Sequence, residues 1–144
     1  MFFGQFDHSI DEKGRVTIPA RYRDQLEDCA CLTLGFDNNL MVMRENDFQK
    51  LCKKVEAMSI TDSVARDLAR SIFSNFDKIE FDKTGRILIP QKFREKLGLT
   101  TMVKLVGLGN YFEIWLPEDW EIASAKFADA QDRATMFEGL NLTF

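Results

Sequence analysis

Apolar and polar residues alternate near the start of the chain, over Gln5–Ile10. This period of two predicts a β-strand with one buried face. The next four residues, Asp-Glu-Lys-Gly at 11–14, fit a type I turn because Asp favours its first position and Gly its fourth. The Asp carboxylate of such a turn accepts a hydrogen bond from the backbone N–H two residues on. A second strand is therefore predicted over Arg15–Ile18.

A short helix is predicted directly after this strand. Pro19 fits its first position, where the N–H that proline lacks would have no partner. Tyr22 and Leu26 lie one helical turn apart and are expected to face the core, whereas Arg21 and Arg23 are expected to point away from it.

A hairpin and a longer helix complete this first unit. Strands are predicted near Cys31–Phe36 and Leu40–Arg44, joined by the turn residues Asp37-Asn38-Asn39. Asn46 is the expected N-cap of a helix that begins at Asp47. The unit thus reads strand, turn, strand, short helix, hairpin, helix.

The middle of the chain carries apolar residues at a period near 3.6, which predicts an amphipathic helix packed on the core. Thr61 precedes this pattern and is its expected N-cap. The apolar positions are Val64, Ala65, Leu68, Ala69, Ile72 and Phe73.

The unit then occurs a second time. The stretch DEKGRVTIPARYRDQL at 11–26 aligns without a gap with DKTGRILIPQKFREKL at 82–97, an offset of 71 residues. From Asn38 and its counterpart Asn110 onward the offset is 72. The second copy is predicted to contain strands over Lys78–Phe81, Arg86–Ile89, Met102–Gly107 and Tyr111–Trp115, a short helix over Pro90–Leu97 ended by Gly98, and a final helix near Pro117–Phe137.

The duplication predicts one shared core. The chain divides into a first unit (5–50), a helical connector (51–76), a second unit (77–120) and a C-terminal helix with its tail (121–144). A unit of about 45 residues buries too little apolar surface to be stable alone. Two copies can close a single α+β core across a pseudo-two-fold axis, as a symmetric dimer does.

The charge distribution changes the expected partner. In 144 residues, 19 basic and 23 acidic side chains give a net charge of −4, which by itself argues against nucleic acid. Residues 11–24 and 82–96, however, hold nine basic and five acidic side chains, a sum of +4 that leaves −8 for the remainder. Positive charge therefore collects on the repeated element, where it favours an anionic partner.

Several classes of protein fit the composition poorly. Cys29, Cys31 and Cys52 are an odd number without a Cys-x-x-Cys pair, and His8 is the one histidine, so neither a disulfide framework nor a zinc site is expected. No apolar run approaches the roughly 18 residues of a membrane span, and the N-terminus lacks the features of a secretory signal. We expect a soluble, cytoplasmic protein with no membrane partner and no cofactor.

An Asp-x-x-x-Arg motif in each copy, at Asp11/Arg15 and Asp82/Arg86, resembles the swapped-hairpin unit of SpoVT-AbrB proteins. Two such units in one chain, with a helical insert between them and the start MFFGQFDHSIDEKGR, resemble the MraZ family over essentially the whole chain. The resemblance implies a duplicated swapped-hairpin β-barrel with flanking helices.

The resemblance also implies a function. MraZ proteins are bacterial transcriptional regulators that bind double-stranded DNA at direct repeats upstream of a division and cell-wall gene cluster beginning with their own gene. They usually repress that cluster, and they assemble into ring-shaped homo-oligomers. The expected protein is therefore a nucleoid-associated repressor with no small-molecule substrate.

Arg15 and Arg86 are the expected principal DNA-binding residues, because a guanidinium fork pairs with phosphate or with guanine. An internal ion pair to Asp11 or Asp82 that merely holds the turn is the alternative, and the two roles are compatible. Further expected DNA contacts are Lys13, Lys83, Arg21, Arg23, Lys92 and Arg94, and the expected turn-orienting residues are Asp11, Asp82, Gly14 and Gly85. Phe48, Trp115 and Trp120 are expected to pack in the core or at a subunit interface.

Other functions remain open at this point. Asp11 and Asp82 resemble the paired carboxylates of aspartic proteases, but an Arg beside each would keep it ionised, whereas that dyad shares one proton. We therefore expect no enzyme. Another SpoVT-AbrB-like regulator, an antitoxin-type DNA-binding protein and an oligomeric scaffold that binds no DNA remain as alternatives.

Overall fold

The computed structural model describes residues 1–143 and has an α+β fold built from two similar halves. The strands are β1 (Gln5–Ser9), β2 (Arg15–Thr17), β3 (Cys29–Leu34), β4 (Asn39–Met43), β5 (Asp77–Glu80), β6 (Arg86–Leu88), β7 (Met102–Gly107) and β8 (Tyr111–Trp115). The helices are α1 (Ala20–Leu26), α2 (Glu45–Glu56), α3 (Ser63–Phe73), α4 (Gln91–Leu97), α5 (Pro117–Ala125) and α6 (Ala130–Phe137), followed by a 3₁₀ turn at Glu138–Leu140.

The strands form two antiparallel sheets arranged about a pseudo-two-fold axis. Six strands pair in the order β1-β7-β8-β4-β3-β5, and β2 pairs with β6 in a separate sheet. Met41 lies opposite Glu113 in the large sheet, and Val16 lies opposite Ile87 in the small one. Each of these residues faces its own counterpart from the other copy, which is the signature of internal two-fold symmetry.

Each half completes the sheet of the other. β1 of the first copy pairs with β7 of the second, and β5 of the second pairs with β3 of the first. The duplication and the exchange of strands between copies are confirmed. The large sheet is not closed as a barrel, however: among residues 1–143 no ladder joins β1 to β5. The side between these edges is spanned by β2 and β6, which are three residues each and pair with one another.

The main core lies between the large sheet, the small sheet and the two short helices. Tyr22 of α1 and Phe93 of α4 are buried there, as Leu26 is, so the expected inward face of α1 is confirmed. The Tyr22 ring packs on Phe112 at 4.8 Å between centroids, and its hydroxyl donates to the Phe3 carbonyl at 2.7 Å. The other core residues include Val16, Ile18, Leu32, Leu40, Ile87, Ile89, Leu105 and Ile114.

Four predicted helix starts are displaced by one or two residues. α1 and α4 begin one residue later than predicted, and Pro19 and Pro90 are their N-cap residues. α2 begins at Glu45 rather than Asp47, so Asn46 lies within its first turn and the N-cap position is Arg44, which makes no side-chain capping hydrogen bond. The cap of α3 is Asp62 rather than Thr61. Its carboxylate accepts from the N–H of Val64 at 2.9 Å, which satisfies one of the free donors of the first turn.

The apolar stripe of α3 is only partly buried. Ile72 is buried, and its carbonyl accepts a hydrogen bond from the Thr33 hydroxyl at 2.9 Å. Val64 is 74% exposed and Phe73 also reaches solvent. The prediction of core packing is therefore right for the side of the helix near Ile72 and wrong for these two residues.

The predicted single C-terminal helix is two helices, α5 and α6. In the segment between them, the Arg133 guanidinium donates to the carbonyls of Phe127 and Ala128 at 2.9 and 2.8 Å. These hydrogen bonds satisfy two backbone acceptors of the non-helical connection.

Candidate nucleic-acid interface

The first turn is organised by the carboxylate of Asp11. One of its oxygens accepts from the backbone N–H of Lys13 at 3.0 Å and of Arg15 at 2.8 Å. The other oxygen accepts from the Arg15 Nε at 2.7 Å. Gly14, at φ 90°, closes the turn by donating to the Asp11 carbonyl at 2.9 Å. The same carboxylate therefore stabilises the turn and fixes the guanidinium of Arg15, the residue that follows the turn.

The second turn repeats this geometry with one addition. Asp82 accepts from the N–H of Thr84 and of Arg86, both at 2.9 Å, and from the Arg86 Nε at 2.8 Å. The hydroxyl of Thr84, which has no counterpart in the first copy, donates to the same carboxylate at 3.0 Å. Gly85 has φ 78°. The two turns thus differ in their middle residues but present their Arg side chains in the same way.

Both aspartates are held ionised. The backbone N–H of Arg15 lowers the pKa of Asp11, and the N–H of Arg86 holds the pKa of Asp82 well below its usual range. A pair of carboxylates that shares one proton needs the opposite, a raised pKa on one partner. The geometry therefore supports a binding role for these turns over acid–base catalysis.

Tertiary pairing brings the two turns together. The Ile18 N–H donates to the Gly85 carbonyl at 3.2 Å, and the Ile89 N–H donates to the Gly14 carbonyl at 2.9 Å. Nη1 of Arg86 also lies 3.7 Å from Oδ2 of Asp11, across the pseudo-two-fold axis. The side chains of Arg15 and Arg86 remain about one-third exposed, at 34% and 31%. The result is one surface with two guanidinium groups related by two-fold symmetry.

Each turn is braced by an arginine from the other half. A Cβ added to Gly14 would lie 2.6 Å from Cζ of Arg94, and one added to Gly85 would lie 2.8 Å from Cζ of Arg23. Arg94 is anchored in this position because its Nε donates to the Ile89 carbonyl at 2.9 Å. The positive φ favours glycine at these turns, and a larger residue would also have to displace the covering Arg side chain. The expectation that Arg23 points away from the core is wrong, because Arg23 is half-buried over the opposite turn.

The remaining basic residues surround this surface in different ways. Lys13 and Lys83 are exposed at the turns. Arg21 is exposed and lies over the Phe6 ring at 5.5 Å. Lys92 forms an ion pair with Asp77 at 2.8 Å, so a phosphate would compete with that carboxylate. DNA contacts by these residues and by Arg23 and Arg94 stay predictions.

Other kinds of site find little support in residues 1–143. No group of three or more His, Cys, Asp or Glu side chains there is arranged to hold a metal ion. No helix in the same range is both long and apolar enough to cross a membrane. Cys29 and Cys31 are buried free thiols, and burial raises the pKa of Cys31 to about 12.

Comparison with known proteins identifies the family. A family model described as "MraZ protein, putative antitoxin-like" matches this chain twice, over residues 1–71 and over residues 72–139. The chain belongs to the MraZ family. Each match contains one of the two copies of the repeated stretch, 11–26 and 82–97.

Individual relatives agree along most of their length. A protein of Thermomicrobium roseum named transcriptional regulator MraZ is 42% identical over 120 residues, which cover 83% of this chain and 84% of the relative. The transcriptional regulator MraZ of Roseiflexus castenholzii is 40% identical over 131 residues, 90% of this chain and 92% of the relative. That of Halothermothrix orenii is 41% identical over 120 residues, 83% of this chain and 84% of the relative.

Proposed function

We propose that this MraZ-family chain is a DNA-binding transcriptional regulator that contacts duplex DNA with the surface formed by its two Asp-x-x-x-Arg turns. The observation that carries the proposal is the pseudo-two-fold arrangement of Arg15 and Arg86, each the first residue of one of the two paired strands β2 and β6. Duplex DNA has local two-fold symmetry in its backbone, so two matched guanidinium groups can meet two matched groups on the duplex. The name of the relatives, transcriptional regulator MraZ, supports the same function.

The geometry suits DNA in a specific way. Each Asp carboxylate holds the Nε of its Arg, and Nη1 of Arg86 also lies 3.7 Å from Asp11. The other Nη groups can meet a phosphate or the O6 and N7 atoms of guanine. Because the Arg is already oriented, little side-chain entropy is lost on binding. Electrostatic capture by the local positive charge comes first, and a few groove contacts then select the sequence.

The finer proposal concerns assembly and target. We propose a ring-shaped homo-oligomer that binds direct repeats upstream of its own gene, in a division and cell-wall cluster, and represses that gene from the nucleoid. Each weak contact between one subunit and one repeat would then be strengthened by avidity. We infer that the protein acts by binding alone, without catalysis, and that its functional units are 5–50, the connector 51–76, 77–120 and the C-terminal segment 121–144.

The test is fluorescence anisotropy with two labelled duplexes, the region upstream of the protein's own gene and a scrambled control. Titrations at about 50 mM and 200 mM salt measure the electrostatic part of binding. We expect salt-sensitive binding that prefers the upstream duplex. Arg15→Ala and Arg86→Ala should each weaken it by about 1–3 kcal/mol, roughly 5- to 150-fold in Kd.

Arg70→Ala is the matched control, since Arg70 pairs with Asp67 at 2.9 Å on α3, outside the two turns. It should bind DNA as the wild type does. If Arg15→Ala loses both its native circular dichroism spectrum and its DNA binding, the role of Arg15 is to hold the turn rather than to contact DNA. No binding of any duplex at the lower salt concentration would overturn the DNA proposal.

An antitoxin-type DNA-binding protein is the second candidate, favoured by the description of the matching family model. Such a protein has a toxin partner that its exposed C-terminal segment would bind. A variant truncated after Lys126 separates the two functions, because it keeps both turns. An antitoxin should lose its protection of cells against the toxin when the segment is removed. If the truncated variant protects cells as well as the full chain does and still represses its gene, the antitoxin candidate fails.

A further inference from the structure

A groove of about 540 Å³ lies on the outer face of the large sheet, between β8 and the C-terminal helices. Three aromatic rings line one side of it. Trp115 and Trp120 are in edge contact at 5.5 Å between centroids, and Trp120 and Phe127 are similarly arranged at 6.2 Å. Phe36 also lines the groove and is exposed. This region lies outside the surface of the two turns.

A carboxyl group is buried in this groove. Glu113 of β8 lines it and is only 8% exposed. Its Oε1 accepts from the Trp115 indole N–H at 3.0 Å, and it takes part in no ion pair among residues 1–143. Burial raises the pKa of Glu113, hydrogen bonding by the side chains of Trp115 and Asn39 opposes this rise, and the nearby carboxylate of Asp37 adds to it. Lys126 also lines the groove, but it is exposed.

The fold does not require an acid at this position. Glu113 is paired across the sheet with its own counterpart from the first copy, and that residue is Met41. The same place in the same sheet is therefore filled by an apolar side chain in one half and by a carboxyl in the other. A buried carboxylate without a cationic partner is costly, and a cation bound in the groove would offset that cost.

We propose that the groove is a binding site for a small organic cation, an amine or quaternary ammonium compound with an apolar body. The ammonium group would lie against the Glu113 carboxylate, with Asp37 adding negative charge at the edge. The apolar body would lie on Trp115 and Trp120, whose ring faces attract cations. The groove volume fits a ligand of this size, and a few polar groups in an otherwise apolar cleft are typical of small-molecule sites.

Positioning of Trp115 is the competing explanation for Glu113, and the variant Glu113→Gln separates the two. Glutamine keeps the oxygen that accepts the Trp115 N–H and removes the negative charge. Glu121→Gln is the matched control, because Glu121 is an exposed acid of α5 that does not line the groove. Folding of both variants is checked by circular dichroism.

The experiment is calorimetric titration of the full chain at about pH 8, because a higher pH favours the ionised carboxyl. The ligands are 2-phenylethylammonium, tetraethylammonium and the neutral 2-phenylethanol. Tryptophan fluorescence is recorded in parallel, since both tryptophans of the chain line the groove. We expect saturable binding of both cations. The Kd should be about tenfold higher for the alcohol, and the Kd of the cations should be about tenfold higher in Glu113→Gln. Binding to Glu121→Gln should be unchanged.

Three outcomes would overturn the proposal. They are no saturable binding of either cation, equal binding of the alcohol and the ammonium, and unchanged cation binding in Glu113→Gln. A fourth is tested by sedimentation velocity. If every cation that binds also dissociates an oligomer, a basic side chain of a second copy occupies the groove. The groove is then an interface between copies rather than a ligand site. DNA binding is measured separately, so failure here leaves the proposed function untouched.

Discussion

Asp82 and Asp11 each use one carboxylate to hold a turn and to orient the Arg four residues later. Holding the turn needs only a hydrogen-bond acceptor, whereas the ion pair with Arg needs a negative charge. An asparagine in the same place can still accept the backbone hydrogen bonds through its Oδ1, but it offers no charge to the guanidinium. The contribution of the ion pair is therefore measurable without destroying the turn.

We predict that Asp82→Asn lowers the free energy of unfolding at neutral pH and that this difference vanishes in acid. The pKa of Asp82 is lowered on folding, so its stabilising effect is present above the pKa of the unfolded chain, about 3.9, and is lost as the pH falls through the lower folded value. Urea unfolding at a series of pH values measures this. Curves that stay parallel down to strong acid would contradict it.

Glu113 has the opposite dependence. Its pKa is raised on folding, so its favourable contribution is present below the ordinary value of 4.5 and is lost as the pH rises through the folded value. We predict that Glu113→Gln melts at a higher temperature than the wild type near pH 8 and at the same temperature near pH 4. Differential scanning calorimetry without added ligand tests this. A variant less stable at pH 8 would show that the carboxylate itself stabilises the sheet.

At the scale of elements, each short helix supports the turn of the opposite copy. α4 places Arg94 against Gly14, and α1 places Arg23 against Gly85. The helix and the opposite turn therefore form one structural unit, although they are distant in the sequence. This arrangement links the position of each Asp-x-x-x-Arg turn to the half that does not contain it.

We predict that Gly14→Ala destabilises the protein more than Gly98→Ala. Both glycines have positive φ, 90° and 70°, which costs an alanine roughly 1 kcal/mol. At Gly98 the nearest atom to a new methyl is 3.9 Å away, whereas at Gly14 the methyl would displace Arg94 and break its hydrogen bond to Ile89. Gly14→Ala should lower the free energy of unfolding by about 0.5–1.5 kcal/mol more than Gly98→Ala does, as measured by urea unfolding.

A double substitution checks the cause of this excess. In an Arg94→Ala background, Gly14→Ala should cost only as much as Gly98→Ala, since nothing remains to be displaced. An excess that persists without the Arg94 side chain would point to the backbone of the turn instead.

At the scale of the whole molecule, the exchange of strands makes the two halves one cooperative structure. Leu32 of the first copy is fully buried in the same core as Leu105 and Ile114 of the second. Neither half has a complete sheet without the other, because β1 and β5 pair only with strands of the opposite copy. Local damage in one half must therefore destabilise both.

We predict that Leu32→Ala lowers the unfolding free energy by about 2–5 kcal/mol and shifts a single transition. Trp115 and Trp120 both belong to the second copy, so tryptophan fluorescence reports on the half that is not mutated. Fluorescence and far-ultraviolet circular dichroism should give coincident curves. A shift in circular dichroism alone would mean that the copies unfold independently.

The sequence by itself was sufficient where the determinants are local. The hairpin strands Met102–Gly107 and Tyr111–Trp115, the helix end at Gly98 and both Asp-x-x-Gly turns lie as predicted. Their hydrogen bonds join residues a few positions apart, so the residue types that satisfy them are visible in a short window. The duplication was equally visible and, with it, the pairing of the two Arg turns about one axis.

Contacts between distant residues decided the rest. The sequence did not indicate that Arg23 and Arg94 cover the opposite glycines, that Val64 reaches solvent, or that the large sheet stays open at β1 and β5. It also gave no sign that Glu113 is buried, because an acid between apolar residues on a strand normally faces water. Burial and close approach depend on which parts of the chain meet, and no interaction within a short segment specifies that. The local pattern therefore determined the elements and the repeated turn, and only the packing of one copy against the other determined how those turns are held and what lies beneath the outer groove.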